Sequence, residues 1–353
     1  MIKIAIIGCG SAVKQLHLPA ITGNSRIRAT WAVDSNQVLV NKAAKAYGIE
    51  HISTDYREVK DVDAALIATP HFLHVPMAEH FLKAGVHVLC EKPLALHSQD
   101  SVRLVDLAAC NNLVLAVGVF RRYYPTSRLV RDALAGKWLG SVERIDAEEG
   151  GQYDWELQSR FMMERDKSGG GVLVDTGSHV LDRILWWFDS CRAQLEEYRD
   201  NSMGGVESDC EVKFTVPWNG VNVPVRVELS RTRTLRNTFQ LVMTKGMIEI
   251  PANIPEQAWL LDRDIGRVSE EFHKISLDLR SGPEARSPMA FFADQINDFC
   301  CAIQNNREPV NSGASVVPVV ALIESCYQNR IPMDETWVRA GLEKAYLGME
   351  YRA

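Results

Sequence analysis

Residues 2–11 read IKIAIIGCGS, an almost unbroken apolar run that ends in a Gly-Cys-Gly turn. Hydrophobicity without a regular polar alternate marks a strand buried on both faces, the condition of a parallel sheet covered by helices. Four more runs share this texture: IRATWAVD (27–34), VDAALIAT (62–69), VHVLC (86–90) and LVLAVGV (113–119). Between them, NQVLVNKAAKAYG (36–48), HVPMAEHFLKAG (74–85) and SQDSVRLVDLAACNN (98–112) carry polar faces at helical spacing, with Gly48 and Gly85 at expected C-cap positions. This alternation predicts a doubly wound parallel sheet whose ligand site lies beyond the carboxyl ends of the strands.

The turn after the first strand suits that site. Gly8 permits a tight turn, Gly10 lets a pyrophosphate approach the backbone, and Ser11 and Ala12 open the following helix. Val13 stands where the Rossmann fingerprint has its third glycine. Asp34 ends the second strand 24 residues after Gly10, near the distance at which an acid grips a ribose 2′-OH. A carboxylate there repels a 2′-phosphate, so NAD is expected over NADP, with Ser35 and Asn36 able to soften the preference. An ordinary strand-to-helix turn is the competing reading.

The length of 353 residues suits two domains, a dinucleotide-binding domain over 1–122 and a substrate-binding and oligomerisation domain over 123–353. A net charge of -6 with dispersed Lys and Arg argues against a nucleic-acid footprint, and no apolar stretch is long enough to span a bilayer. The eight cysteines form no CxxC pair, which indicates neither a zinc ribbon nor a disulfide framework. The first strand follows Met1 directly and leaves no room for a leader, so a cytoplasmic protein without membrane or nucleic-acid partners is expected.

From about residue 141 the texture becomes alternating: SVERIDAEEG, DCEVKFTV, VNVPVRVELSRT, NTFQLVMT and GMIEI. Alternation predicts a largely antiparallel sheet with one face covered by helices and one open, the open face being a natural oligomer surface. The closing helices, SPMAFFADQINDFCCAIQNN and SGASVVPVVALIESCYQNR, are expected to fold back on the first domain.

Two stretches carry candidate chemistry. In VLCEKPLAL (88–96), Glu91, Lys92 and Pro93 follow a buried strand. A cis bond or rigid turn at Lys92-Pro93 would fix the lysine toward the cleft, where it can stabilise a developing alkoxide; a solvated Glu-Lys turn is the alternative. In VLVDTGSHVLDRILWWF (172–188), a helical wheel at about 100 degrees per residue puts Asp175, His179, Asp182 and Trp186 on one face and Leu173, Val180, Ile184 and Phe188 opposite. Asp175 and His179 are then i,i+4 neighbours, and the carboxylate would orient the imidazole and favour its charged form. An exposed Asp-His pair or a metal site of Asp175, His179 and Asp182 competes with that dyad, although no distant ligand cluster accompanies it and no metal is expected. The intervening loop, GGQYDWELQSRFMMERDKSGGG, offers Tyr153, Trp155 and Arg160 as walls over a substrate, and Arg121 and Arg122 as anion binders or solvated arginines.

Taken together, GCGSAVKQLHLPA, ATPHFLHVPMAEHFLKAGVHVLCEKPLA, VGVFRRYYP and SGGGVLVDTGSHVLDRILWWF resemble, in order along the whole chain, the glucose-fructose oxidoreductase and inositol dehydrogenase family. The resemblance implies a nicotinamide-dependent oxidoreductase acting on a secondary alcohol or ketone of a sugar, inositol or sugar derivative, assembled as a homodimer or homotetramer. It implies Lys92, Asp175 and His179 as catalytic residues, with Asp182 structural. Thr69, Pro70, His74, Glu91 and Lys92 would lie along the cofactor; Lys92, His179 and Arg121 would meet the substrate. Phe120 and His71 stand where many members carry a polar residue such as Asn. Two other readings are an enzyme that retains NAD for internal redox, as in some glycosidases, and a non-catalytic NAD or sugar sensor.

Overall fold

Six strands, β1 (Ile2–Ile7), β2 (Ile27–Val33), β3 (His51–Ser53), β4 (Ala64–Ile67), β5 (His87–Cys90) and β6 (Leu115–Val117), pair in the order β3-β2-β1-β4-β5-β6. Every pair is parallel. The computed structural model describes residues 1–152, 160–190, 192–202, 205–262 and 274–333. The period of two along each strand feeds two cores. Ile4, Ile6, Leu66 and Leu89 point into one; Ala5, Ile7, Ile67 and Val88 point into the other, under the helices His74–Lys83 and Ser98–Cys110. The strand order reverses between β1 and β4, which opens a crevice at the carboxyl ends, the dinucleotide position of a Rossmann sheet.

The second sheet comprises β7 (Val142–Gly150), β8 (Gln194–Asp200), β9 (Asp209–Trp218), β10 (Val221–Ser230), β11 (Thr238–Met243), β12 (Gly246–Pro251), β13 (Gln257–Asp262), β14 (Lys274–Asp278) and β15 (Arg330–Pro332). Their order is β14-β13-β12-β11-β7-β10-β9-β8-β15. Only the pairs β7–β10 and β8–β15 are parallel, so the expected largely antiparallel sheet is present. Register places Val225 opposite Phe214 and Val227 opposite Val212, all buried, whereas Arg226 opposite Lys213 lies on the open side. Leu181, Ile184 and Leu185 of the helix Ser178–Trp187 fill the covered side.

The helix Pro288–Asn305 buries Phe292, Ile296 and Phe299 in the Ile4 core of the first sheet. The helix Gly313–Gln328 joins both units: Val316 enters the first sheet's core, while Val319, Leu322, Ile323 and Cys326 enter the second. An ion pair locks the same junction. Arg122 Nε and Nη2 donate to Asp182 Oδ2 and Oδ1 at 2.9 and 2.6 Å, and Nη1 donates to the Val310 carbonyl and Ser315 Oγ. Arg122 is therefore neither solvated nor free for an anion, because its whole donor fork is spent inside the protein. Both residues are fully buried, so Asp182→Asn, which leaves the guanidinium without a counter-charge, should cost about 3 kcal/mol of stability in denaturant titration. Among the described residues no helix is long and apolar enough to cross a membrane.

Candidate active site

The two charges of the Glu-Lys-Pro stretch point in opposite directions. Glu91 follows β5, and its Oε1 accepts a hydrogen bond from Nε2 of His17 at 2.6 Å, while Oε2 accepts from the Lys92 amide. His17 is fully buried and belongs to a π-helical turn, Val13–His17, directly after the glycine loop. Burial works against the Glu91 charge, but His17 and Lys92 outweigh it and hold its carboxyl below the usual range. Glu91 thus ties the lysine strand to the glycine loop. Gly118 faces this carboxylate so closely that a Cβ would collide with it.

Lys92, followed by a cis peptide to Pro93, reaches the other way. Its Nζ donates to Asp175 Oδ1 at 2.7 Å and to the Asp175 carbonyl at 3.0 Å. The solvated Glu-Lys turn is excluded by these contacts. Asp175 Oδ2 accepts from Nη2 of Arg231 at 2.8 Å. Burial pushes the Asp175 carboxyl up, but the flanking Lys92 and Arg231 cations hold it well below the usual carboxylate range.

Asp175 lies in a second π-helical turn, Leu173–Gly177, which precedes the α-helix Ser178–Trp187. The expected orientation of His179 by this carboxylate is not what the hydrogen bonds show. The two residues remain neighbours along the segment, but no hydrogen bond joins them among the described residues. The carboxylate goes to Lys92 and Arg231, and His179 Nδ1 has no hydrogen-bond partner among the described residues. The expected charged imidazole is reversed as well. Burial, followed by the repulsion of Arg121 and Lys92, pushes the His179 pKa well below its ordinary value, against the smaller pull of Asp175. The ring is neutral, the form a proton acceptor needs. Phe120 contributes to this desolvation: its ring meets His179 edge-on at 5.4 Å and stacks on Phe292 at 4.3 Å.

The remaining candidates divide. Gly8 has a φ of 96°, and a Cβ there would overlap the Ala68 carbonyl oxygen. Gly10 has only open space where a Cβ would stand, a cradle at the start of the helical segment begun by Ser11 and Ala12. Asp34 braces this loop, its Oδ2 accepting from the Cys9 amide and its Oδ1 from the Asn36 amide, each at 2.8 Å. These residues fit a dinucleotide, since each carboxylate oxygen retains a lone pair for a ribose hydroxyl. Thr69 and Pro70 follow β4 at the same sheet edge. His74 is sealed away, with Nδ1 against the Pro93 carbonyl at 2.7 Å and Nε2 against the Thr69 carbonyl at 2.9 Å, so it positions these backbones and does not touch a cofactor. His71 is also buried; Nδ1 donates to the Ser168 carbonyl, and burial lowers its pKa to about 3.

Arg121 makes a bidentate pair with Glu149, 2.7 and 2.9 Å, which occupies the fork expected to hold a substrate anion. Tyr153 and Trp155 lie outside the described residues. Arg160 begins the short turn Arg160–Met163, and its side chain is outside them too. Sequence reading missed Arg231 and His17. Arg231 follows the last residue of β10, where an alternating strand ends in a cation, and that end of a strand is the signal that was available.

Comparisons with known proteins give the family of the fold. A family model described as "Oxidoreductase family, NAD-binding Rossmann fold" matches residues 2–119, and one described as "GFO/IDH/MocA C-terminal domain" matches residues 127–249. The inositol 2-dehydrogenase of Rhizobium meliloti (strain 1021) is 30% identical over 344 residues, covering 93% of this chain and 96% of that protein. A putative UDP-kanosamine synthase oxidoreductase subunit of Amycolatopsis mediterranei (strain S699) is 29% identical, covering 92% and 95%. A 3-ketoreductase from Actinomadura kijaniata, solved with NADP and TDP-benzene, superposes with a TM-score of 0.79 at 19% identity, covering 94% of this chain and 98% of that one. A levoglucosan dehydrogenase solved with NADH and levoglucosan gives 0.78 at 20% identity, covering 93% and 96%. The shared fold and near full-length identity place the chain in the GFO/IDH/MocA family, as an NAD(P)-dependent oxidoreductase of the sugar and polyol dehydrogenase and reductase type.

Proposed function

We propose that this protein moves a hydride between NAD and a secondary carbinol or carbonyl carbon of a sugar or polyol, with Lys92, Asp175 and His179 as its catalytic residues. The observation that carries the reading is the reach of Lys92 from the end of β5 across to Asp175, on the segment that bears the neutral, buried His179. Bound nicotinamide supplies the hydride acceptor or donor. Lys92 gives two donor directions to Asp175 and keeps a third for the substrate oxygen, where its charge stabilises an alkoxide. Asp175, ionised between Lys92 and Arg231, fixes that ammonium. His179 takes the hydroxyl proton during oxidation and returns it during reduction.

Gly8, Gly10, Ser11 and Ala12 would hold the pyrophosphate, and Asp34 the adenosine ribose. Asp34→Ala is expected to weaken NAD binding about tenfold, the loss of a charged acceptor, and to narrow the NAD to NADP ratio. Fluorescence titration with both reduced cofactors checks it. The open face of the second sheet, with Arg226, Lys213 and Asp146 on adjacent strands, is the surface through which a homodimer or homotetramer would form.

The test of function is to offer NAD and NADP with myo-inositol, free sugars, sugar phosphates and nucleotide sugars while following reduced nicotinamide by absorbance. Turnover with one class supports the reading, and silence across the panel refutes it.

A further inference from the structure

The glycine run Gly169-Gly170-Gly171 precedes the Asp175 turn and has no part in the chemistry above. Its neighbours explain it. A Cβ on Gly170 would overlap Oη of Tyr327, and a Cβ on Gly171 would overlap the backbone of Glu207. Glu207 comes from the loop between β8 and β9 and is completely buried. Its Oε1 accepts from the Gly171 amide at 2.9 Å, the Leu173 amide at 3.0 Å and Tyr327 Oη at 2.8 Å, and its main-chain carbonyl accepts from the Val172 amide at 3.0 Å. Three consecutive amides at the start of the segment that carries Asp175 and His179 therefore end on one residue from another element.

We propose that Glu207 is a positioning residue that sets the place of Asp175 and His179 by anchoring residues 171–173 from outside their own segment. The inference rests on the proposed roles of Asp175 and His179. A segment entering through glycines and a π-turn lacks the regular ladder that fixes an ordinary helix start, so an external acceptor must supply the constraint.

The hydrogen bonding also assigns the proton. Oε1 accepts three hydrogen bonds, whereas the equally buried Oε2 has no partner among the described residues. A carboxylate would leave half its charge bare in the core, whereas a neutral acid leaves only an unpaired hydroxyl at Oε2, the smaller cost. The titratable groups around it are Tyr327 and Cys326 from the helix Gly313–Gln328, Tyr198 and Asp200 from β8, and Cys210 from β9. Arg165 stacks over the Tyr327 ring, 4.8 Å from its centroid, and Arg330 is paired with Asp200. Burial raises the Glu207 pKa against the hydrogen bonds from Leu173, Tyr327 and Gly171.

Two full-length variants test the proposal. Glu207→Gln keeps an accepting oxygen at the same reach and should retain kcat with NAD and myo-inositol within about twofold. Glu207→Asp withdraws the acceptor by one methylene and should lower kcat about a hundredfold while leaving the KM for NAD unchanged. The second measurement needs no substrate. Because the folded state keeps the Glu207 proton above the pH at which the unfolded chain releases it, the stability of the native protein relative to Glu207→Gln should be fully present below about pH 4 and decline as pH rises through the folded pKa. The Tm difference between the two proteins from pH 4 to 8 reads this directly. A flat difference overturns the neutral acid, and Glu207→Asp with wild-type kcat overturns the positioning role. If no sugar turns over, the functional reading fails while the Tm difference still judges the Glu207 proton; if Glu207→Asp does not fold, a hundredfold loss of kcat in Glu207→Gln, which keeps the acceptor, overturns the positioning role.

Discussion

Lys92→Met should lower kcat about a thousandfold while the affinity for NADH stays within about twofold of the wild type. Methionine preserves the length and apolar character of the lysine stem, so the variant removes the ammonium and little else. The ammonium is held by Asp175 at Oδ1 and at the main-chain carbonyl, which leaves a donor for the substrate oxygen at the carboxyl edge of the parallel sheet. The proposed pyrophosphate cradle at Gly8 and Gly10 belongs to a different loop, so fluorescence titration should find cofactor binding intact. Tenfold or weaker NADH binding in the variant would relocate Lys92 to the cofactor cradle and overturn its catalytic role. Asp175 would keep one cation, Arg231, and its depressed pKa should move back toward the ordinary carboxylate value. Stability contributed by the depressed pKa is present above about pH 4 and lost as pH falls through the folded pKa, so the wild type should lose more stability than Lys92→Met on acidification.

His179→Ala should cost about a thousandfold in kcat, within the range of a lost general base. The wild-type pH profile carries the sharper information. An imidazole of ordinary pKa would lose half of its basic form near pH 6.5, but burial together with the Arg121 and Lys92 charges keeps this one neutral well below that point. The rate of alcohol oxidation should therefore show no loss attributable to His179 between pH 8 and about 6, and this plateau should end only at lower pH. An acid limb at or above pH 6.5 that disappears in His179→Ala would contradict the neutral ring. Phe120 makes the same point structurally: an apolar ring against the imidazole offers no polar group that would stabilise its charge.

Much of this was legible along the chain because the relevant forces are local and periodic. Runs such as IKIAIIGCGS and VDAALIAT become β1 and β4 because a strand buried on both faces must be apolar at every position, whatever lies beyond it. The alternation of DCEVKFTV and VNVPVRVELS likewise becomes β9 and β10. Short or polar strands escaped. β3 is only His51–Ser53, β15 only Arg330–Pro332, and β8 reads QLEEYRD; each is held by pairing with a neighbour and carries little hydrophobic signal of its own.

The site divides along the same line. Sequence alone determined which residue types stand at the ends of strands and where the glycines fall, because turns and helix starts are fixed by backbone sterics within a few residues. Tertiary structure decided who pairs with whom. The i,i+4 spacing of Asp175 and His179 suggested a dyad, yet the Asp175 carboxylate bonds Lys92 and Arg231, 83 and 56 positions away along the chain. Arg121 and Arg122 are neighbours in sequence and part company in space, one to Glu149 and the other to Asp182. Such pairings, and the protonation states they impose, depend on burial and on charges brought from distant elements, and no periodicity along the chain encodes them.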